Sequence, residues 1–226
     1  MQLHSVDPQG KVARHIPTAQ VIGCVVHLSC VAPAPGSVRH VNGDGLIIGA
    51  PHGHAAGASS TDAADRIDRG AAPRVQTVAA LLQPAGFKVT VSERIQRDIW
   101  FKLWGNMTMN PISALTCATA DRILDDPLVR GFVSAVMLEA QQIGRAIGIP
   151  IEQTPEQRHA VTRKLGAFKT SMLADLEAGR ALEIDALVGA VHEIGRHLGL
   201  ATPNVDALFG LVRLMAQQRG LYPGAG

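Results

Sequence analysis

Lys102, Asn106 and Asn110 stand at i, i+4 and i+8 in the segment Trp100-Phe101-Lys102-Leu103-Trp104-Gly105-Asn106-Met107-Thr108-Met109-Asn110-Pro111. On a helix, that spacing places one amine and two amides in a single stripe that drifts by about 40° per step. An ammonium can donate a proton to a carbonyl oxygen and stabilise the charge that develops there. Amides can fix the hydroxyl and carboxylate groups of a bound molecule. Both tryptophans of the chain lie in this segment, and most of its other residues are apolar. Such a helix is buried over most of its surface, and polar groups on it need partners. Two readings follow. Either the stripe lines a cleft and performs this chemistry, or Lys102 reaches solvent while the asparagines bond to neighbouring backbone.

A second group lies downstream. Ser171 belongs to a helix that opens at Thr154, and Glu183 and Asp185 open the next one. The apolar stripe there is Ile184, Leu187, Val188, Val191, Ile194 and Leu198. Glu183 and Asp185 flank it on opposite sides, so at most one faces a given cleft. A carboxylate at a helix start is also an ordinary partner of the helix dipole.

Other spacings do not carry chemistry. Gly43-Asp44-Gly45-Leu46-Ile47-Ile48-Gly49 approaches a dinucleotide fingerprint, but its third glycine comes one residue late and a strand follows it. His192 and His197 are five apart. On a helix they point about 140° apart and cannot share a metal, so they read as surface histidines. His52 and His54 flank Gly53 with no third ligand near them. Arg158, His159, Arg163, Lys164 and Lys169 form a basic stretch. It reads as a solvated face or as a rim that draws in an anionic substrate or cofactor phosphate.

The elements that position these residues fall into two unlike parts. Residues 1–93 read as strands and turns with one helix. Val21–Leu28 is a dense β-branched run, the pattern of a strand buried on both faces. Ser37–Val41 and Leu46–Ile48 flank Asn42-Gly43, a hairpin-turn signal. His52–Ala72 reads as a loop with at most a short helix. Pro73–Gln83 reads as a helix burying Val75, Val78, Ala79 and Leu82, and Phe87, Val89 and Val91 mark a half-buried strand. Residues 94–226 form an all-α part. Its first helix, Glu93–Asn110, is ended or kinked by Pro111. Further helices open at Asp126-Pro127, at the capping box Thr154-Pro155-Glu156-Gln157, near Leu182 and at Thr202-Pro203. Gly179 closes the third of these five helices.

A chain of 226 residues makes one large or two small domains. Lys and Arg number 21 and Asp and Glu 19, a balance that argues against a nucleic-acid groove. Eight aromatic residues are too few for base-stacking platforms. The hydrophobic share of 46% excludes a mainly disordered chain. Three cysteines, an odd count without a C-x-x-C pair, fit a reducing cytoplasm rather than a disulfide or thiolate-zinc scaffold. The longest apolar run, around Val21–Cys30, is too short for a membrane span, and the N-terminus lacks a charged leader followed by an apolar stretch. An apolar helical face leaves room for a homodimer.

The sequence resembles the ketopantoate reductases (2-dehydropantoate 2-reductases). The resemblance rests on Trp100-Phe101-Lys102-Leu103 through Asn106 to Asn110-Pro111, then Ser171-Met172-Leu173, then Leu182-Glu183-Ile184-Asp185. Val21-Ile22-Gly23-Cys24-Val25-Val26, with Pro35-Gly36 and Val38-Arg39-His40, is similar to the family's late nucleotide-domain strands. The resemblance implies a fold: the late strands and one helix of a Rossmann-type α/β domain over 1–93, and the family's helical C-terminal domain over 94–226. It implies an activity: NADPH-dependent reduction of 2-dehydropantoate, a small branched 2-oxo acid, to (R)-pantoate on the route to pantothenate and coenzyme A. It also implies roles. Lys102 is the general acid at the C2 carbonyl oxygen. Asn106, Asn110 and Ser171 hold substrate. Glu183 sits where substrate hydroxyl and cofactor ribose meet.

The chain departs from the family in one respect. The glycine-rich turn that holds the cofactor pyrophosphate has no counterpart in it, and one βαβ unit takes about 30 residues. By that measure several strands and helices, on the order of 100 residues, are missing. The sequence thus reads as an N-terminally shortened member with poor NADPH affinity and impaired activity. Two alternatives stand beside this reading: a non-enzymatic helical module for association or substrate binding, and a related reductase of another branched 2-oxo acid.

Overall fold

Short runs of Val, Ile and Leu at 21–28, 46–48 and 89–91 mark the strands of the first part, which builds a small sheet. The computed structural model describes residues 3–51 and 63–222; the His52/His54 pair and most of the loop expected after it lie outside them. Strands β1 (Gly23–Ala34) and β2 (Ser37–Gly49) pair antiparallel, and β2 pairs parallel with β3 (Lys88–Val91), in the order β1-β2-β3. A parallel pair needs a crossover, and helix α2 (Ala63–Leu82) supplies it; a five-residue helix α1 (Lys11–His15) precedes the sheet. Leu46 and Ile48 pack on Val75 and Ala79 of α2, with Val78, Leu82, Phe87 and Val89 around them.

Three expectations change here. First, β1 is not buried on both faces. It is an edge strand, and within it only Val25 is buried. A β-branched run scores alike in a central strand and in one strand of a long hairpin. Second, the hairpin turn falls at Pro35-Gly36, between the paired Ala34 and Ser37, and not at Asn42-Gly43. Gly43 does take a positive φ of 77°, but it serves a bulge inside β2, where a Cβ would meet the His27 carbonyl oxygen at 2.3 Å. Third, α2 begins ten residues before Pro73 and carries that proline in its interior.

The remainder is helical: α3 (Ile95–Thr116), α4 (Ala120–Asp125), α5 (Pro127–Ala146), α6 (Pro155–Arg163), α7 (Ser171–Glu177), a π-helical turn (Asp185–Gly189) leading into α8 (Ala190–His197), and α9 (Pro203–Gln218). The chain divides into two compact units, Val12–Lys102 and Met1–Lys11 with Leu103–Gly226. In the second, α5 packs against α4, α6, α8 and α9. Pro111 does not end α3; the helix runs to Thr116. A proline inside a helix costs about 3 kcal/mol. Pro111 lies within a buried stretch with Met107, Ile112 and Ala114, so packing offsets that cost. The single helix expected from Thr154 to Gly179 is two helices, α6 and α7, each with its own threonine cap. Thr154 forms the expected capping box, and Thr170 accepts from Leu173 N. Gly166, with a φ of 62°, falls in the break between them. Gly179, at 64°, follows the end of α7.

The start of α9 is secured from outside the helix. Thr202 makes no side-chain cap. Instead the buried Glu139 of α5 accepts from Asn204 N (3.0 Å), Asn204 Nδ2 (2.6 Å) and Val205 N (2.9 Å). The carboxylate satisfies orphan donors and complements the positive end of the helix. Glu139→Ala removes these bonds and leaves buried amides unpaired, so we expect a loss of about 3 kcal/mol in urea unfolding, with Glu139→Gln losing less.

Candidate functional site

Helix α3 carries the polar stripe as the spacing predicted. Trp100 and Trp104 are buried, and the Trp104 indole N–H donates to the Met137 carbonyl at 2.8 Å. Lys102, Asn106 and Asn110 lie along one side of this continuous helix. Lys102 is half-buried, and its amine donates to the Val26 carbonyl of β1. It therefore does not stand in bulk water. Burial holds its pKa below the ordinary lysine value of 10.5, against the opposing pull of Cys24. On β1, burial raises the Cys24 thiol and the Lys102 charge partly offsets it.

Asn106 and Asn110 line a cavity of about 80 Å³ in the helical unit. Asn110 Nδ2 lies 3.5 Å from Ser171 Oγ, a long hydrogen bond. A chain of hydroxyls fixes this corner. Ser113 Oγ donates to the Asn110 carbonyl at 2.9 Å and pairs with Thr170 Oγ1, the cap of α7. The structure thus brings Asn106, Asn110 and Ser171 together by way of α3 and the start of α7. Glu183 lies elsewhere, on an exposed segment ahead of the π-helical turn, where its carbonyl accepts from Leu187 N. The apolar stripe after it is real: Ile184, Val188 and Val191 are fully buried.

The basic stretch splits in a way that its sequence did not indicate. Arg163 bonds Asp125 (2.6 Å), and Lys169 bonds Glu177 (2.8 Å), both at the surface. Arg158 and His159 turn inward and line the same cavity as the two asparagines. Val161 of the same helix is 45% exposed while His159 is only 6% exposed. Helix α6 is mostly polar and its one valine, Val161, faces out, so hydrophobic periodicity does not mark which side faces in. The only available signal is the i, i+3, i+4, i+7 set of Pro155, Arg158, His159 and Thr162 on the inner side. Burial lowers the pKa of both Arg158 and His159.

A larger cavity of about 620 Å³ lies in the same unit, lined among others by His4, Asp185, His192, Glu193, Phe209 and Tyr222. Glu193 accepts from His4 N, Ser5 N and Ser5 Oγ at 2.6–2.8 Å. Burial alone would raise its pKa, but these bonds bring it below the ordinary value. His192 pairs with Asp206 at 2.8 Å and His197 bonds the Glu193 carbonyl at 3.0 Å. Among the described residues no group of His, Cys, Asp and Glu is placed to hold a metal, and no helix is long and apolar enough to cross a membrane.

A three-stranded sheet with one crossover helix, followed by a helical unit with a buried amide cluster, places the protein in a known class. Residues 94–216 match the model of the ketopantoate reductase PanE/ApbA C-terminal domain. The chain belongs to the ketopantoate reductase family. It is 40% identical over 221 residues to a 2-dehydropantoate 2-reductase of Mesorhizobium japonicum, covering 98% of this chain and 63% of that protein. A crystal structure from Ralstonia solanacearum MolK2, provisionally described as a ketopantoate reductase, superposes with a TM-score of 0.87 at 58% identity, over 98% of this chain and 63% of that one. The 2-dehydropantoate 2-reductase of Methylococcus capsulatus gives a TM-score of 0.77 at 29% identity, over 94% of this chain and 68% of that one. The chain thus spans under two thirds of the length of the first two.

Tyr222, the single tyrosine of the chain, donates to Asp185 at 2.7 Å in the wall of the larger cavity. Burial, and then the bond and charge of Asp185, push its phenol up to about 12. Tyrosinate absorbance reports this residue alone. We expect its midpoint near 12 in the folded protein, falling towards the free value of about 10 in denaturant and part of the way in Asp185→Asn.

Proposed function

We propose that this chain serves the NADPH-dependent reduction of 2-dehydropantoate to (R)-pantoate, with the helical unit holding the substrate. The observation that carries the reading is the placement of Asn106 and Asn110 on one cavity with Ser171 beside Asn110. Family membership and the resemblance of the Lys102-to-Pro111 segment support it. On this reading residues 1–93 are the late part of a Rossmann-type domain and 94–226 the substrate domain.

NADPH is the cofactor that the family implies. A pyrophosphate needs a glycine-rich strand-to-helix turn whose N–H groups face it. Among the described residues the turn from β3 into α3 is Ser92-Glu93-Arg94. It has no glycine, it carries a carboxylate at Glu93, and its Ser92 hydroxyl is taken by Asp98. This turn does not fit a pyrophosphate, so no step is derived through the cofactor.

The chain's own residues supply proton and position. Lys102 delivers a proton to the C2 carbonyl oxygen as that oxygen gains charge. Its lowered pKa suits this role, because an acid works best when its pKa lies near the working pH. Asn106 and Asn110 donate to substrate hydroxyl and carboxylate oxygens, and Ser171 steadies the second amide.

NADPH oxidation with 2-dehydropantoate tests the acid. Lys102→Ala should lower turnover by roughly 10²–10⁴-fold. In the unaltered protein kcat/KM should fall as pH rises through a value below 10.5, because deprotonation removes the proton donor; Lys102→Ala should lack that limb. Calorimetry with pantoate, which needs no cofactor, tests the amides. Asn106→Ala and Asn110→Ala should each weaken binding by about tenfold.

A further inference from the structure

Behind Asn110 and Ser171 stand two buried hydroxyl groups, Ser113 of α3 and Thr170, the cap of α7. Their hydrogen bonds have one self-consistent direction, because a hydroxyl has a single hydrogen to give and two lone pairs to accept with. Ser113 gives its hydrogen to the Asn110 carbonyl at 2.9 Å. The link between Ser113 and Thr170 therefore takes its hydrogen from Thr170. Thr170 in turn accepts from Leu173 N at 3.2 Å. The chain runs from the first turn of α7 to the backbone of α3, and each hydroxyl in it both donates and accepts. In front of it lies the 3.5 Å bond from Asn110 Nδ2 to Ser171 Oγ, which is too long to hold either side chain by itself. The separation of these two groups is set by the backbones that carry them, and the hydroxyl chain fixes one backbone to the other. Its last acceptor is the carbonyl of Asn110, and its cap residue is the chain neighbour of Ser171.

We propose that Ser113 and Thr170 are positioning residues of the substrate site, which hold the Asn110 amide and the Ser171 hydroxyl as a matched pair of donors for an oxygen of the 2-oxo acid. The inference rests on the reading that the asparagine stripe meets substrate. As acceptor of one Asn110 hydrogen, Ser171 keeps its own hydrogen to give, and Asn110 Nδ2 has a second. Ser171 is exposed, so its hydroxyl is open to a ligand. Two neutral donors side by side suit a carboxylate or carbonyl oxygen. Apolar side chains of the same shape would join the two helices about as firmly, because much of a hydrogen bond's strength is offset by lost hydration. What the polar link adds is direction, since such a bond is good only over a narrow range of distance and angle. Loosening it lets the two donors drift apart. Binding must then order them first, and affinity falls.

The test is calorimetry of the full chain with pantoate, at a temperature where circular dichroism shows every variant folded. Ser113→Ala and Thr170→Val should each weaken binding by about fivefold to tenfold. Thr170→Ser keeps both the cap and the hydroxyl, and should stay within about twofold of the unaltered protein. A purely structural link would lower the melting temperature and leave the dissociation constants of the folded variants alike. Equal affinity in Ser113→Ala and the unaltered protein therefore overturns the positioning role and leaves the substrate reading intact. If Ser113→Ala does not fold, the contrast between Thr170→Val and Thr170→Ser decides the same question. If the unaltered protein does not bind pantoate, the substrate reading fails, and NMR exchange of the Asn110 Nδ2 hydrogens tests the tie alone. Exchange faster by about tenfold in Ser113→Ala, with the Trp104 indole N–H of the same helix unmoved, supports it. Unchanged exchange overturns it.

Discussion

Burial of α3 is the constraint on which the rest depends. A helix that hides two indoles and two methionine side chains cannot expose its polar groups to bulk water, so each must be met by protein or ligand. Trp104 is met by the Met137 carbonyl. Lys102 is met by the Val26 carbonyl, and Asn110 by Ser171. Around these contacts α5, α6 and α7 supply walls. The helix also passes through Pro111 without stopping, because the burial of Met107, Ile112 and Ala114 outweighs one lost backbone bond.

The hydroxyl chain from Asn110 through Ser113 to Thr170 shows how that constraint becomes precision. Thr170 caps α7 and pairs with Ser113, so the start of α7 is tied to α3 by a fully buried link. Ser171, the first residue of α7, is thereby set beside Asn110. Buried polar links of this kind rigidify when every member is satisfied. An amide held in this way needs no rearrangement when it meets a ligand, which is the preorganisation that binding and catalysis both require.

Much of this was legible in the residues. The i, i+4, i+8 spacing on a tryptophan-rich segment marked the stripe, and the Thr154 capping box marked the start of α6. What stayed hidden has physical causes. The Asn42-Gly43 pair signals positive φ, and a bulge needs that as much as a turn does, so the hairpin was placed seven residues late. Pro73 and Pro111 read as helix boundaries because a single-residue rule cannot weigh tertiary packing. The π-helical turn at Asp185–Gly189 leaves no mark on hydrophobic periodicity, since Ile184, Val188 and Val191 stay buried. Arg158 and His159 were hidden most deeply. Hydrophobicity finds inner faces, and the inner face of α6 is polar.

That last case bears on how such a site is chosen. A charged group turned into a protein's interior loses hydration, and the lowered pKa values of Arg158 and His159 record the loss. Surface partners were within reach of neighbouring residues on the same stretch, as Arg163 with Asp125 and Lys169 with Glu177 show. Arg158 instead lies in a notch that only glycine at position 105 leaves open. Two independent positions, one on each helix, thus agree on keeping a cation against the amide stripe.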